Sequence, residues 1–412
     1  MAFFSILYPK CESRAETESS EQPAFFKDLN LDQIVAAVTA GRQEYRLQPF
    51  FHVSLKDIDA IHYRQEIMRD LQDNVLLGHI QSFARTMRAM REHLAQAAKL
   101  YYERQKKAWF VNAMELYCDA VQSLARDLRL VELKSRGLLA FRDYVNDYIR
   151  TERFTALLSG IRSLRAELSS IKFCLLIRDN SITVRSYESE TDYSVEVAET
   201  FAKFRQGAVK DYTVKFLGWP EMNHVEAGIL DLVAKLHPEV FAHLDEFCSR
   251  HTDYLDETIE VFDREVQFYA AYLEFIQRLK EAGLKFCYPE ICADRKDIYS
   301  LEGFDLALAS KLVQENSAVV CNDFYLKDKE RIFIVSGPNQ GGKTTFARAF
   351  GQMHYLASVG CPVPGAKARL FLFDGLFTHF EQEEDIARLR GKLQDDLLRI
   401  CLLYTSPSPR DS

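Results

Sequence analysis

A chain of 412 residues exceeds what one hydrophobic core ordinarily supports, and with 47% hydrophobic residues it can fill more than one. Its 52 basic and 60 acidic side chains leave a formal charge of −8, which excludes a protein that coats nucleic acid by charge alone; any such contact has to be a local basic patch. The 9 cysteines are scattered singly and odd in number, the pattern of reduced thiols rather than of a disulfide framework, and Cys287 and Cys292 have no second Cys or His pair to complete a zinc site.

The first ten residues are apolar but lack a basic n-region and a small-residue cleavage signature, and no run reaches membrane-spanning length. A cytoplasmic location with no membrane partner is the default expectation. Glu12 to Glu21 is a polar connection, and Leu29 to Ala40 carries a short helix signal. Residues 57–71 place Ile58, Ile61, Ile67 (or Met68) and Leu71 at helical spacing, which predicts one amphipathic helix. Ile80, Phe83, Met87, Met90, Leu94, Ala97 and Tyr101 alternate three and four apart, a heptad seam repeated by Met114, Tyr117, Val121, Leu124, Leu128 and Val131. Phe154, Leu157, Ile161, Leu164 and Leu168 repeat it again, so long helices pack side by side here. Arg85, Arg88, Arg91, Lys99, Arg104, Lys106 and Lys107 are within the means of a phosphate contact, but a solvated helix face is the first reading.

The pattern changes at Ile171. Phe173 to Ile177 and Ile182 to Tyr187 are β-rich runs around the polar turn Arg178-Asp179-Asn180-Ser181, which predicts a hairpin. Helix resumes near Met222 and continues through Leu255, Ile259, Phe262, Val266, Tyr269, Leu273 and Ile276 until Gly283 and Pro289 end it. From Ile298 onward short apolar runs alternate with helices, as in a nucleotide-binding α/β layer.

The most informative stretch is Ser336-Gly337-Pro338-Asn339-Gln340-Gly341-Gly342-Lys343-Thr344-Thr345, which follows the apolar run Ile332-Phe333-Ile334-Val335 and precedes a helix-like segment. The spacing G-x-x-x-x-G-K-[ST] lets backbone N–H groups wrap the α- and β-phosphates of a nucleotide. Lys343 then reaches the β/γ oxygens, and the Thr344 hydroxyl faces Mg²⁺. Any Cβ at the glycines would block that approach, and the helix start adds unpaired amides and a positive partial charge. A run of apolar residues before the loop predicts a strand there.

The wording Gly-Pro-Asn-x-Gly-Gly-Lys-Thr-Thr resembles the loop of the MutS mismatch-repair ATPases. Ala357-Ser358-Val359-Gly360-Cys361-Pro362-Val363-Pro364-Gly365 is similar to the segment that follows that family's loop helix, and Asp374-Gly375-Leu376-Phe377-Thr378 to its Asp-x-Ile-Phe-Thr stretch. Upstream, Val319-Val320-Cys321-Asn322-Asp323 resembles the apolar pair and Asn-Asp where the family packs the adenine, and residues 57–71 resemble the opening of its helical core. The resemblance implies ATP or ADP with Mg²⁺, dimerisation through the ATPase domains, and coupling of nucleotide state to clamping on DNA. By the same resemblance, the hairpin corresponds to a small clamp and Leu255 to Leu279 to a rigid lever.

The chain also departs from the family. No Gly-x-Phe-Tyr-Glu occurs, so the aromatic mismatch wedge is missing. Arg390 to Asp396 carries no serine where the family reaches its partner's nucleotide, although Lys392 stands there. No apolar strand ending in Asp-Glu follows the loop; Glu381, Glu383, Glu384 and Asp385 lie in a polar run, so binding without appreciable hydrolysis is expected. Residues 401–412 turn Ser/Pro-rich and read as a non-native tail, with the natural gene continuing past Ile400.

The resulting expectation is a mixed fold: an arm over 1–45, a helical core and lever over 46–170, a β-containing clamp over 171–220, returning helices over 221–289, and a partial α/β P-loop ATPase domain over 290–400. The expected function is DNA mismatch repair or related repair and recombination. Two alternatives stay open: a relative in the second bacterial MutS branch acting on branched DNA or stalled ribosomes, and a coiled-coil chromosome-maintenance ATPase.

Overall fold

A computed structural model describes residues 3–10, 21–179, 181–189, 222–294 and 296–380. The polar connection after Cys11, the carboxylates Glu381 to Asp385, the segment Arg390 to Asp396 and the tail after Ile400 lie outside these residues. The chain divides into two compact units. The first takes Met1–Gly78, Leu128–Tyr144 and Glu257–Ser412, and the second takes His79–Asp127 and Val145–Asp256.

In the first unit the helices are α1 (Phe25–Asp28), α2 (Leu31–Thr39), α3 (Pro49–His52) and α4 (Ile58–Asp70). The Asp57 carboxylate caps α4 by accepting the Asp59 N–H at 3.0 Å. The long helices α5 (Asn74–Lys99) and α6 (Glu103–Leu130) follow, and then α7 (Arg136–Tyr148). The second unit holds most of α5 and α6, with α8 (Glu152–Ser170), the hairpin β1 (Phe173–Arg178) and β2 (Ser181–Ser186), α9 (His224–Leu236) and α10 (Pro238–Arg250).

The heptad seams are the core of the second unit. Ile80, Phe83, Met87, Met90, Met114, Tyr117, Val121, Leu124, Phe154, Leu157, Ile161 and Leu164 are all buried. Tyr101 breaks the pattern: α5 ends at Lys99, so Tyr101 stands 84% exposed and Leu100 turns inward. Gly160 is required where α8 meets α10, since a Cβ there would lie 2.4 Å from the Phe247 ring. The Tyr117 hydroxyl sits 3.0 Å from that of Tyr148 and accepts the Asp256 N–H. The basic face of α6 is internally neutralised, with Arg104 on Asp231, Lys106 on Glu103 and Lys107 on Asp245.

The hairpin forms where the β-rich runs predict it, in the register Phe173↔Ser186 to Arg178↔Ser181, with Asp179 at φ 54° in the turn. The continuous helix expected from Met222 onward is instead three. Pro238 opens α10 with only His237 between it and the end of α9, because a proline starts a helix readily but cannot continue one. Residues 251–256 then separate α10 from the helix that follows.

That helix, α11 (Glu257–Glu281), is the axis of the first unit and is buried on nearly every side from Ile259 to Leu279. Phe262 stacks on Phe141 with ring centroids 3.5 Å apart. After it come β3 (Phe286–Cys287), β4 (Glu290–Cys292), β5 (Ile298–Gly303), α12 (Leu306–Gln314), β6 (Asn322–Leu326), α13 (Lys343–Ser358), β7 (Val363–Pro364) and β8 (Lys367–Phe371). The larger sheet has the order β4-β8-β5-β6, with β4 parallel to β8 and the other pairs antiparallel; β3 pairs with β7 separately.

Residues 5–8 thread through this core, and their backbone polar groups need partners there. The Ile6 N–H donates to Glu265 at 2.9 Å, the Tyr63 hydroxyl donates to Ser5 O, and the Tyr269 hydroxyl donates to Ile6 O. Arg64, 1% exposed, donates from Nε to Leu7 O at 3.1 Å and from Nη1 to Val359 O at 3.0 Å, beside the Tyr8 and Phe268 rings. Gly360 at φ 88° lets the chain pass Arg64, since a Cβ there would sit 2.7 Å from the arginine's own.

Replacing Arg64 by Met keeps the apolar stem but strands two buried carbonyls. The expected loss is about 3 kcal/mol of stability in urea unfolding; a loss below about 1 kcal/mol contradicts this account.

Candidate functional site

The loop Gly337 to Thr345 lies entirely in the first unit, at the amino end of α13. Gly342 occupies the cap position at φ 80°, and Gln340 also lies in the left-handed region at φ 63°. Gly341 N–H donates to Pro338 O at 3.1 Å, and a Cβ at Gly341 would stand 3.0 Å from that same oxygen. Here the two glycines are demanded by geometry: one by its φ, the other by closeness to the turn.

The first bond into the helix is Phe346 N–H to Gly342 O, 2.9 Å. Ahead of it, the amides of Lys343, Thr344 and Thr345 belong to the first turn, whose N–H groups have no carbonyl one turn back. Lys343 curls over the loop, its Nζ donating to Gly337 O and Pro338 O at 2.7 Å each. The ammonium and the helix amides thus gather positive charge around one short turn, an arrangement suited to an anion. Thr344 is exposed at the same end.

The predicted strand before the loop does not form. Residues 332–335 have no regular structure, with Ile332 79%, Ile334 90% and Val335 44% exposed. A strand needs a ladder neighbour, and among the described residues the sheet ends at β6. The run is held instead by one ring: Phe333 lies 5.9 Å from Phe324 of β6, 6.1 Å from Phe346 and 5.6 Å from Phe350 of α13. Val319 is half-buried and Val320 is 77% exposed, in the segment that leads into β6.

Behind the loop, α13 is fixed by residues that sequence reasoning missed. Gln352, fully buried, donates from Nε2 to Leu29 O and Asp305 Oδ1 at 2.8 Å each and accepts the Leu306 N–H. Arg348 Nε donates to Asp28 O, and the Thr378 hydroxyl donates to the buried Asp28 carboxylate at 2.7 Å. Polar residues on a helix give no sequence signal of such burial; only the four-residue spacing of Phe346 and Phe350 was readable. Beside Thr378, a cavity of about 640 Å³ is lined by Phe25, His52, Tyr355, Phe373, Asp374 and Phe377 among others.

Among the described residues no His, Cys, Asp or Glu cluster could hold a metal ion and no helix is long and apolar enough to cross a membrane. Cys287 and Cys292 form no disulfide and are half-buried, and burial pushes the Cys287 thiol up to about 11.

A helical protein with small sheets, carrying a glycine-rich turn at a helix amino end, is the class that this geometry defines. Residues 333–403 match the family model of MutS domain V, whose described part here contains the loop and α13. The DNA mismatch repair protein MutS of Thermotoga neapolitana is 26% identical over 189 residues, 45% of this chain and 22% of that protein. That of Solibacter usitatus is 25% identical over 196 residues, 46% and 22% of the respective chains. That of Thermosipho melanesiensis is 33% identical over 87 residues, 21% and 11%. The chain is similar to MutS proteins over these stretches, which span about a fifth or less of the length of those relatives.

His354 supplies a test of packing behind the loop. Burial lowers its pKa from 6.5 to about 4, while its Nδ1–H donates to Phe350 O. The unfolded chain therefore binds the extra proton first. Stability is full above about pH 6.5 and falls as the pH drops toward 4, by about 2 kcal/mol between pH 7 and pH 5. His354→Gln should flatten that part of the urea-unfolding pH profile; an unchanged slope contradicts the assignment.

Proposed function

We propose that this chain binds ATP or ADP with Mg²⁺ at Gly337, Pro338, Asn339, Gln340, Gly341, Gly342, Lys343, Thr344 and Thr345. The observation that carries the reading is the Lys343 ammonium folded over the Gly337 and Pro338 carbonyls at the amino end of α13, inside the segment that matches MutS domain V. A bound nucleotide replaces those carbonyls with β- and γ-phosphate oxygens, far better partners for an ammonium. The first-turn amides take the remaining phosphate oxygens, and Thr344 presents its hydroxyl to Mg²⁺. The Val319–Val320 segment supplies apolar contact to the base. The resident chemistry is phosphate binding; the nucleotide brings its own metal.

The relatives are DNA mismatch repair proteins, and we carry that role to this chain: a DNA-repair protein, dimeric and cytoplasmic, in which nucleotide state is coupled to grip on DNA. The basic residues of α6 are tied to carboxylates, which supports the hairpin as the DNA-facing element, with Lys172, Arg178 and Arg185 on or beside its strands.

Titration of the full chain with a fluorescent ATP analogue should show saturable binding that Lys343→Ala weakens at least a hundredfold, since a charge-assisted phosphate contact is lost. Equal affinity of the two proteins would remove the assignment.

For DNA, three hairpin cations limit the counterions released. The logarithm of affinity should fall with that of salt with a slope of no more than about 3, and Arg178→Ala should reduce it by about 1. Filter binding across a salt series measures both. Absence of binding at the lowest salt, or a slope untouched by the substitution, refutes the hairpin assignment.

A further inference from the structure

Four polar anchors recur along α13 at three- and four-residue intervals, and each ends on the amino-terminal segment. Arg348 Nε donates to Asp28 O at 3.0 Å. Gln352 Nε2 donates to Leu29 O at 2.8 Å, and the Tyr355 hydroxyl donates to Phe51 O at 2.7 Å. Ser358 O accepts the Leu55 N–H at 2.9 Å. Residues at this spacing share one face of a helix, so the contacts form a single line along it. Gly351 belongs to the same interface: a Cβ there would stand 2.7 Å from Leu29 Cδ2, so the two segments approach more closely than any other residue allows. The Thr378 hydroxyl closes the line from the far side on the Asp28 carboxylate.

The opposite flank of the loop has no comparable hold. Residues 332–335 make no ladder, three of the four side chains are exposed, and Phe333 alone packs inward. A loop tethered weakly upstream takes its position from the helix downstream. Where the amides of Lys343 to Thr345 aim is therefore decided by what grips α13. Arg348 is the anchor nearest the loop, five residues or about 7.5 Å along the axis from Lys343.

We propose that residues 28–55 form a bracket that positions the phosphate-binding end of α13, with Arg348 and Gln352 as positioning residues that never touch the nucleotide. This rests on the nucleotide reading above and adds its regulation: whatever shifts the α1–α3 segment changes nucleotide affinity, and nucleotide in turn stiffens that segment. Coupling of this kind is reciprocal by thermodynamic necessity. A displacement of about 1 Å at a site built on oriented donors is enough to cost binding.

The test uses the full chain and three variants. Arg348→Ala removes a half-buried anchor, Gly351→Ala pushes a methyl group against Leu29, and Tyr117→Phe is a control in the other unit. Each is first shown by circular dichroism to be folded at the assay temperature. ATP-analogue affinity and hydrogen exchange of amides 25–39, with and without nucleotide, are then measured. The expected result is that Arg348→Ala and Gly351→Ala each weaken binding by about tenfold and lose the nucleotide-dependent protection seen in the unaltered chain, whereas Tyr117→Phe changes neither. A merely structural contact would lower the melting temperature without changing affinity in the folded protein. Folded variants that bind within twofold of the unaltered chain overturn the bracket and leave the nucleotide site standing. Failure of the unaltered chain to bind overturns the nucleotide site, and the bracket with it.

Discussion

Arg64 is the constraint around which the first unit is arranged. A guanidinium at 1% exposure has five N–H donors to place, and burying it without partners would cost more than a small domain can spare. Its two carbonyl partners, Leu7 O and Val359 O, are 352 residues apart in the chain, at an amino-terminal segment and at the end of α13. Two aromatic rings cover it and Gly360 makes room for it. Glu265 of α11 answers from the other side by taking the Ser5 hydroxyl and the Ile6 amide. Residues 5–8 are thereby held between buried groups of opposite charge, and α4, α11 and α13 are held through them.

The helical part was legible because packing of long helices imposes a period on the sequence. Ile80 to Met90, Met114 to Leu128 and Phe154 to Leu164 are buried as their spacing predicts. Ile259 to Ile276 likewise lie within one helix whose bounds, Glu257 and Glu281, nearly match the expected Leu255 to Leu279. The hairpin was legible for a similar reason, two β-rich runs around a polar turn. What failed was continuity. A heptad stripe does not register a helix break, so the breaks at Pro238 and residues 251–256 leave no mark in it, and Tyr101 falls in phase with a seam that the end of α5 closes before it.

At the loop, the pattern of glycines, lysine and threonine was informative because geometry restricts which residues fit: Gly342 by its φ, Gly341 by its contact with Pro338. The strand before it was inferred from composition, and composition cannot supply the neighbour a ladder requires. Nor could it reveal the anchors of α13. Arg348 and Gln352 sit among ordinary helix formers, and their partners are backbone carbonyls, which every residue has. Interactions that end on backbone leave no mark in the sequence of the partner.

The aliphatic side chains between Arg331 and Ser336 have a consequence for how the protein behaves in solution. Ile332, Ile334 and Val335 form a β-prone run turned toward water next to β6, the edge strand of the described sheet. Such a run invites strand addition from any chain that meets it, and its tendency to self-associate rises with concentration. The residues before it, Lys327-Asp328-Lys329-Glu330-Arg331, place five charges in succession at its entrance. Flanking charge of this kind opposes stacking of identical segments through desolvation and repulsion. The same five residues that would look like an idle surface turn thus stand as a charged gatekeeper at the entrance of an exposed β-prone run.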